Sequence, residues 1–229
     1  MKIGGLQKIS LIDYPGMISA VVFTQGCNFR CGYCHNPELV DPRLYVEALS
    51  EDELFAFLEK RRGKIDAVVI TGGEPTIQRD LLPFIQHIKE LGYLIKIDTN
   101  GSLPEMLNRL VELEMIDYIA MDIKGPFEKY TSVTGRRIDI AKIRQSIKLI
   151  MSSGIPYEFR TTVVKSLLSP SDIHEIALLI KNARLYYLQQ FIPTKTLSRK
   201  YRSETNYSFD ELALMKAGLS DNIEQVQIR

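Results

Sequence analysis

Apolar residues along this chain fall into short dense runs, and the segments between them repeat with a helical period. Residues 18–24, Ile18-Ser19-Ala20-Val21-Val22-Phe23-Thr24, are rich in β-branched and apolar side chains, the composition of a strand buried on both faces. Similar runs recur at 67–71, 93–98, 118–124, 157–164 and 185–192. Helices are predicted over 51–62, 79–91, 103–113, 140–152 and 171–182. A last helix over 208–217 and a short strand near 224–228 end the pattern. Ser50-Glu51-Asp52-Glu53 has the spacing of a capping box, and Gly63 is placed to stop the helix that follows. Residues 3–14 read as a lead-in, with Gly4-Gly5 and Asp13-Tyr14-Pro15-Gly16 as turn signals. Strand and helix alternate six times, which predicts parallel βαβ units. The special loops all follow strands, and in parallel barrels that end of the strands carries the chemistry. This layout is expected to gather Cys27–Cys34, Glu74, Asp98, Lys124, Arg160 and Gln190 on one rim.

Composition narrows the picture without changing it. A chain of 229 residues with 45% hydrophobic residues suits one domain over 1–229. Its core is expected at about 15–193 and a C-terminal extension at about 194–229. No apolar run is long enough to cross a bilayer, and no targeting segment is visible. The formal net charge of +1 gives no bulk electrostatic case for nucleic acid or membrane binding. Arg61, Arg62 and Lys64 sit where cations usually end a helix. His87 and His174 fall on helices and read as surface residues.

The candidate chemistry lies in one stretch, Gly26-Cys27-Asn28-Phe29-Arg30-Cys31-Gly32-Tyr33-Cys34-His35-Asn36, which holds all three cysteines of the protein. Three thiolates on a four-iron cluster leave one iron without a protein ligand, and an open iron is a place for chemistry rather than simple electron carriage. A structural zinc site is the competing reading. Its fourth ligand would have to be His35, and adjacent residues rarely converge on one tetrahedral ion. A disulfide with one spare thiol is weaker still, given the odd cysteine count. Thiols that must stay reduced fit a cytoplasmic protein.

The spacing C-x-x-x-C-x-x-C, with Tyr33 just before the third cysteine, resembles the signature of the radical S-adenosylmethionine (SAM) enzymes. The resemblance implies an α/β fold, an incomplete (β/α)6 parallel barrel with a short C-terminal extension. It also implies a [4Fe–4S] cluster on Cys27, Cys31 and Cys34 whose open iron chelates SAM. Gly72-Gly73-Glu74 matches the family's glycine-rich motif, which meets the SAM amino group. Asp98-Thr99-Asn100-Gly101 and Met121-Asp122-Ile123-Lys124 resemble motifs of one subgroup, the glycyl-radical-enzyme activating enzymes. There the lysine, and an arginine on the next strand, pair with the SAM carboxylate; here these are Lys124 and Arg160. Asp98 and Asp122 lie where the subgroup has oxygen ligands, including those of a monovalent cation. Helix capping is the plain alternative for both aspartates, and a surface ion pair is the alternative for Arg160.

Phe23 to Cys31 and Tyr33 to Pro37 look like the activators of anaerobic ribonucleotide reductase and pyruvate formate-lyase. Two departures stand out. Tyr14 replaces a common glycine in the lead-in. Gln190 stands near the place of a histidine that lies by the SAM ribose in pyruvate formate-lyase activators. These shift the likeness toward the ribonucleotide-reductase activators. No second cysteine cluster exists, so activators with an inserted ferredoxin-like domain are no guide. The implied function is reductive cleavage of SAM and generation of a glycyl radical on a partner enzyme, with flavodoxin or ferredoxin as electron donor. The alternatives are a radical SAM enzyme acting on a small metabolite or RNA, and a non-enzymatic iron–sulfur or zinc module. The stretch from Thr194 to Tyr207, with Lys195, Arg199, Lys200 and Arg202 beside Tyr201 and Tyr207, is expected to offer a docking surface.

Overall fold

The computed structural model describes residues 1–229. Eight strands follow one another in sheet order as in sequence: β1 (Ile3–Ser10), β2 (Ser19–Thr24), β3 (Ala67–Gly72), β4 (Leu94–Thr99), β5 (Tyr118–Asp122), β6 (Tyr157–Val163), β7 (Tyr186–Gln190) and β8 (Val226–Ile228). The six principal helices are α1 (Glu51–Arg61), α2 (Leu81–Glu90), α3 (Pro104–Glu112), α4 (Ile140–Ser152), α5 (Pro170–Leu179) and α6 (Phe209–Ala217). No helix is long and apolar enough to cross a membrane.

The chain forms two compact units. The first comprises residues 1–28, 38–99 and 103–119. In it β2, β3 and β4 run parallel, with Ser19 opposite Ala67 and Ala67 opposite Leu94. Val21, Val22, Val68, Val69 and Ile70 are all at most 1% exposed. Burying each such side chain is worth about 1.5–3 kcal/mol. Tyr14 and Tyr118 close one end of this core over Val21, Ala67 and Val69. The capping box of α1 is present: Ser50 Oγ accepts from Glu53 N at 3.1 Å, and Glu53 Oε2 accepts from Ser50 N at 3.3 Å.

The lead-in differs from the expectation. Residues 3–10 form β1, antiparallel to β2, with Leu6 opposite Val22. Gly4 is a packing glycine rather than a turn residue, because a methyl group there would stand 2.5 Å from Leu39 Cδ2. The turn at Tyr14-Pro15-Gly16-Met17 is real; Met17 N donates to Tyr14 O at 3.2 Å and Gly16 has φ +74°.

The second unit comprises residues 29–37, 100–102 and 120–229. Here β6, β7 and β8 run parallel, with Tyr186 opposite both Phe159 and Val226. Capping boxes start α5, through Ser169 and Asp172, and α6, through Ser208 and Glu211. The α5 cap sits two residues before the expected helix start, since Pro170 takes the first helical position. A further single helical turn, Tyr130–Thr134, ends at left-handed Gly135.

Candidate functional site

In the first unit, β2 delivers Gln25, Gly26 and Cys27. Gly26 adopts φ +108° and its N donates to Leu39 O at 2.8 Å. The loop after β3 grips the same backbone. Gly73 N donates to Thr24 O at 2.8 Å, and Glu74 N donates to Gly26 O at 2.8 Å. A methyl group on Gly73 would overlap the Gly26 carbonyl oxygen. The two glycines of Gly72-Gly73-Glu74 therefore let one backbone approach another, and this fixes where the cysteine loop begins.

Glu74 is 1% exposed. Its Oε1 accepts from Thr76 N at 3.1 Å, Thr76 Oγ1 at 2.5 Å and Thr99 Oγ1 at 2.7 Å. The carboxylate is thus held in one orientation by two neighbouring loops. Lys96, 1% exposed, donates to Asp13 O at 2.5 Å, lies 3.6 Å from Asp98 Oδ1 and has its ammonium over the Tyr118 ring. Asp98 lies within β4 and caps no helix; the position before α3 is Leu103, which makes no side-chain cap.

The second unit carries the rest of the cysteine loop. Phe29 meets Tyr130 edge-on at 6.5 Å, and Arg30 N donates to Thr134 O at 2.8 Å. Cys34 N donates to Cys31 O at 3.0 Å and closes the turn between the second and third cysteines. No disulfide joins the three cysteines; Cys31 is buried and the other two are half-buried. Burial pushes the Cys31 thiol up to about 11, against the pull of Lys124. The Tyr33 hydroxyl is buried beside the Cys31 thiol. Its acidity is suppressed by burial first and then by the neighbouring Cys31. His35 is committed elsewhere: its ring stacks on Phe191 at 5.2 Å and Nε2 lies 2.9 Å from Ile192 O. That engages Nε2 of the residue on which the zinc alternative depends.

Asp122, at the end of β5, accepts from Lys124 Nζ at 3.0 Å and from Arg160 Nε at 2.9 Å. Burial alone would raise its carboxyl, but Arg160 and then Lys124 outweigh it and hold it at about 2. The same pairing overcomes burial at Lys124 and keeps its ammonium well above the usual lysine range. Arg160 is 12% exposed at the side chain, so it is no loose surface pair. Its second neighbour, Glu158, stands nearer Arg229, at 3.4 Å against 3.8 Å. Asn100 Oδ1 accepts from Ser102 N at 2.9 Å. Gln190 Nε2 donates to Tyr207 O at 2.7 Å.

Tyr201 and Tyr207 correct the expected docking surface. They are 9% and 7% exposed, and Tyr207 donates its hydroxyl to Leu168 O at 3.0 Å. Lys195, Arg199, Lys200 and Arg202 remain exposed, together with Thr194, Ser203 and Thr205. Sequence reasoning also passed over Thr99 and Lys96, whose partners lie in distant loops. Gly32 was the one local signal for close packing inside the cysteine loop.

Three cysteines in one loop, none in a disulfide, a buried tyrosine hydroxyl beside one of them and a cation near the same thiol fit an iron–sulfur cluster with an anionic cofactor. The Radical SAM superfamily profile matches residues 21–180. A "Putative glycyl-radical enzyme activating enzyme" of Methanocaldococcus jannaschii is 35% identical over 235 aligned positions, covering 99% of this chain and 95% of that protein. The pyruvate formate-lyase-activating enzyme of Clostridium pasteurianum is 29% identical over 218 positions, covering 91% and 88%. Among solved structures, Streptococcus suis SuiB aligns with TM-score 0.70 at 16% identity, covering 91% of this chain and 48% of SuiB. SuiB has also been solved bound to SAM.

The chain belongs to the radical SAM superfamily and, within it, to the family of the glycyl-radical-enzyme activating enzymes. The family carries a [4Fe–4S] cluster and SAM.

Proposed function

We propose that this protein generates a glycyl radical on a partner enzyme, and that the partner is an anaerobic ribonucleotide reductase. The observation that carries the activase reading is the alignment of 99% of this chain with a protein named as such an activator. The partner assignment rests on the lack of a histidine in the Leu188–Ile192 strand end, where pyruvate formate-lyase activators carry one near the SAM ribose. When bound, the cluster supplies one electron to SAM, whose cleavage to methionine and 5′-deoxyadenosine is coupled to removal of one hydrogen atom from the partner glycine.

The chain's own residues prepare that event. Cys27, Cys31 and Cys34 hold the cluster, with the Tyr33 ring packed behind the loop. Asp122, Lys124 and Arg160 together carry one negative and two positive formal charges, a net of +1. One added carboxylate balances this group, which suits Lys124 and Arg160 to the carboxylate end of SAM. Glu74, fixed by Thr76 and Thr99, is the acceptor for the SAM ammonium, and Gly72 and Gly73 bring its loop against the backbone of the cysteine loop. Asn100 and Gln190 serve the nucleoside part. Asp98 and Asp122 are the candidates for a monovalent cation. A flavodoxin or ferredoxin supplies the electron, the setting is cytoplasmic, and no nucleic acid takes part.

The test measures 5′-deoxyadenosine in anaerobic mixtures of reduced protein and SAM, with and without candidate partners. Release stimulated by anaerobic ribonucleotide reductase and by no other glycyl radical enzyme supports the assignment. Stimulation by a small metabolite alone removes it.

A further inference from the structure

The C-terminal extension passes directly over the cysteine loop. Leu197 N donates to Cys34 O at 3.0 Å and Ser198 N donates to Gly32 O at 2.8 Å. These two bonds take the carbonyls that flank Tyr33. Tyr201 then lies against Gly32. A methyl group at position 32 would stand 2.5 Å from Tyr201 Cε2 and 3.2 Å from Cδ2. The same ring meets Tyr33 edge-on, with centroids 6.2 Å apart. The strap is tied to itself as well: Thr196, 1% exposed, donates its hydroxyl to Ser198 O at 2.8 Å, and Tyr201 N donates to Ser198 O at 3.1 Å.

We propose that residues 196–201 form a positioning strap that holds the Cys31–Cys34 turn in its cluster-binding conformation, with Tyr201 against Gly32 as its key contact. Ordering a loop backbone costs about 1–2 kcal/mol per residue. A loop already ordered before the cluster arrives does not draw that cost from the binding energy of iron. Supporting contacts of this kind around metal ligands typically change metal affinity by about 10–100-fold when lost. In this reading Tyr201 acts through Gly32, Tyr33 and the two carbonyls. The superfamily profile ends at residue 180, so the strap lies outside the part of the chain that this profile describes. The inference rests on cluster binding by the cysteine loop and not on the identity of any partner.

The experiment uses the full chain, anaerobically reconstituted with iron and sulfide. Tyr201→Ala, Tyr201→Phe and Gly32→Ala are compared with the unchanged protein for the rate of iron release to a ferrous chelator and for the unfolding midpoint. Tyr201→Ala and Gly32→Ala are expected to release iron about tenfold faster, and Tyr201→Phe, which keeps the ring, to behave as the parent. Amide exchange on the parent protein is read in parallel, with the Leu197 and Ser198 amides expected to be protected. A lowered midpoint with iron release unchanged overturns the proposal, because it marks Tyr201 as ordinary packing. Exchange of the Leu197 and Ser198 amides at free-peptide rates overturns it even if a variant fails to fold. Neither reading involves a partner enzyme, so failure here leaves the activase reading standing.

Discussion

Asp122 stands between Lys124 and Arg160, accepting from the lysine ammonium at 3.0 Å through one oxygen and from Arg160 Nε at 2.9 Å through the other. One carboxylate thus holds two cations that would otherwise repel. Asp122→Ala should lower the stability of the iron-free chain by about 1.5–3 kcal/mol, the usual cost of lost charged hydrogen bonds. Acid should reveal the same pair. The Asp122 carboxyl is held at about 2 in the folded chain, below the unfolded value of about 3.9. A lowered acid stabilises the fold above its unfolded value, and the contribution fades as pH falls from about 4 toward 2. Urea midpoints between pH 7 and pH 2.5 should drop less steeply in Asp122→Ala than in the parent. Parallel curves would show that the pair adds nothing to stability.

The same two cations should matter more to SAM than to iron. Lys124→Ala and Arg160→Ala are expected to weaken SAM binding by about tenfold to a hundredfold, the equivalent of about 1.5–3 kcal/mol. Glu74→Ala should act alike through the ammonium. Iron and sulfide content should stay at the parent level in all three. Equilibrium dialysis against SAM reads this directly, and parent-like affinity in every variant would remove these strand ends from the cofactor site.

Gly73→Ala tests the backbone cradle. The added methyl group meets the carbonyl oxygen of Gly26, which already accepts from Glu74 N, so the two loops must move apart. Overpacking of this kind costs about 1–3 kcal/mol. A lower unfolding midpoint and poorer iron uptake are expected together, since the loop start at Cys27 is displaced. An unchanged midpoint would mean that the two backbones separate freely.

Cluster ligation itself predicts about four irons per reconstituted chain. Cys→Ala at position 27, 31 or 34 should each abolish stable loading, because no other thiol exists in the sequence. Iron and sulfide analysis decides it. Full loading in any one variant would take that cysteine out of the ligand set.

What could be read from the sequence was whatever depends on local pattern. The buried strands from Ser19 to Gln190 announce themselves through β-branched runs, and α1 through the Ser50 and Glu53 box. The three cysteines mark the candidate site because their spacing itself points to a chemistry. β1 was hidden because Gly4-Gly5 looks like a turn until Leu39 is seen packed against it. The ion pairing of Asp122 was hidden because an aspartate at a strand end also suits a helix cap, and only the placement of Arg160 separates the two. Tyr201 looked like a surface aromatic among lysines and arginines. Its burial depends on Gly32, a residue far away along the chain, and no periodicity reports such a contact.

The activase function requires that the hydrogen come from a glycine of another protein. The reduced, cluster-loaded protein is incubated anaerobically with SAM and anaerobic ribonucleotide reductase, then frozen for electron paramagnetic resonance. A glycyl-radical doublet is predicted, absent without SAM and lost when the partner's glycine is changed to alanine. A silent spectrum with every glycyl radical enzyme of the host, together with 5′-deoxyadenosine formed in the presence of a small metabolite, would contradict the account.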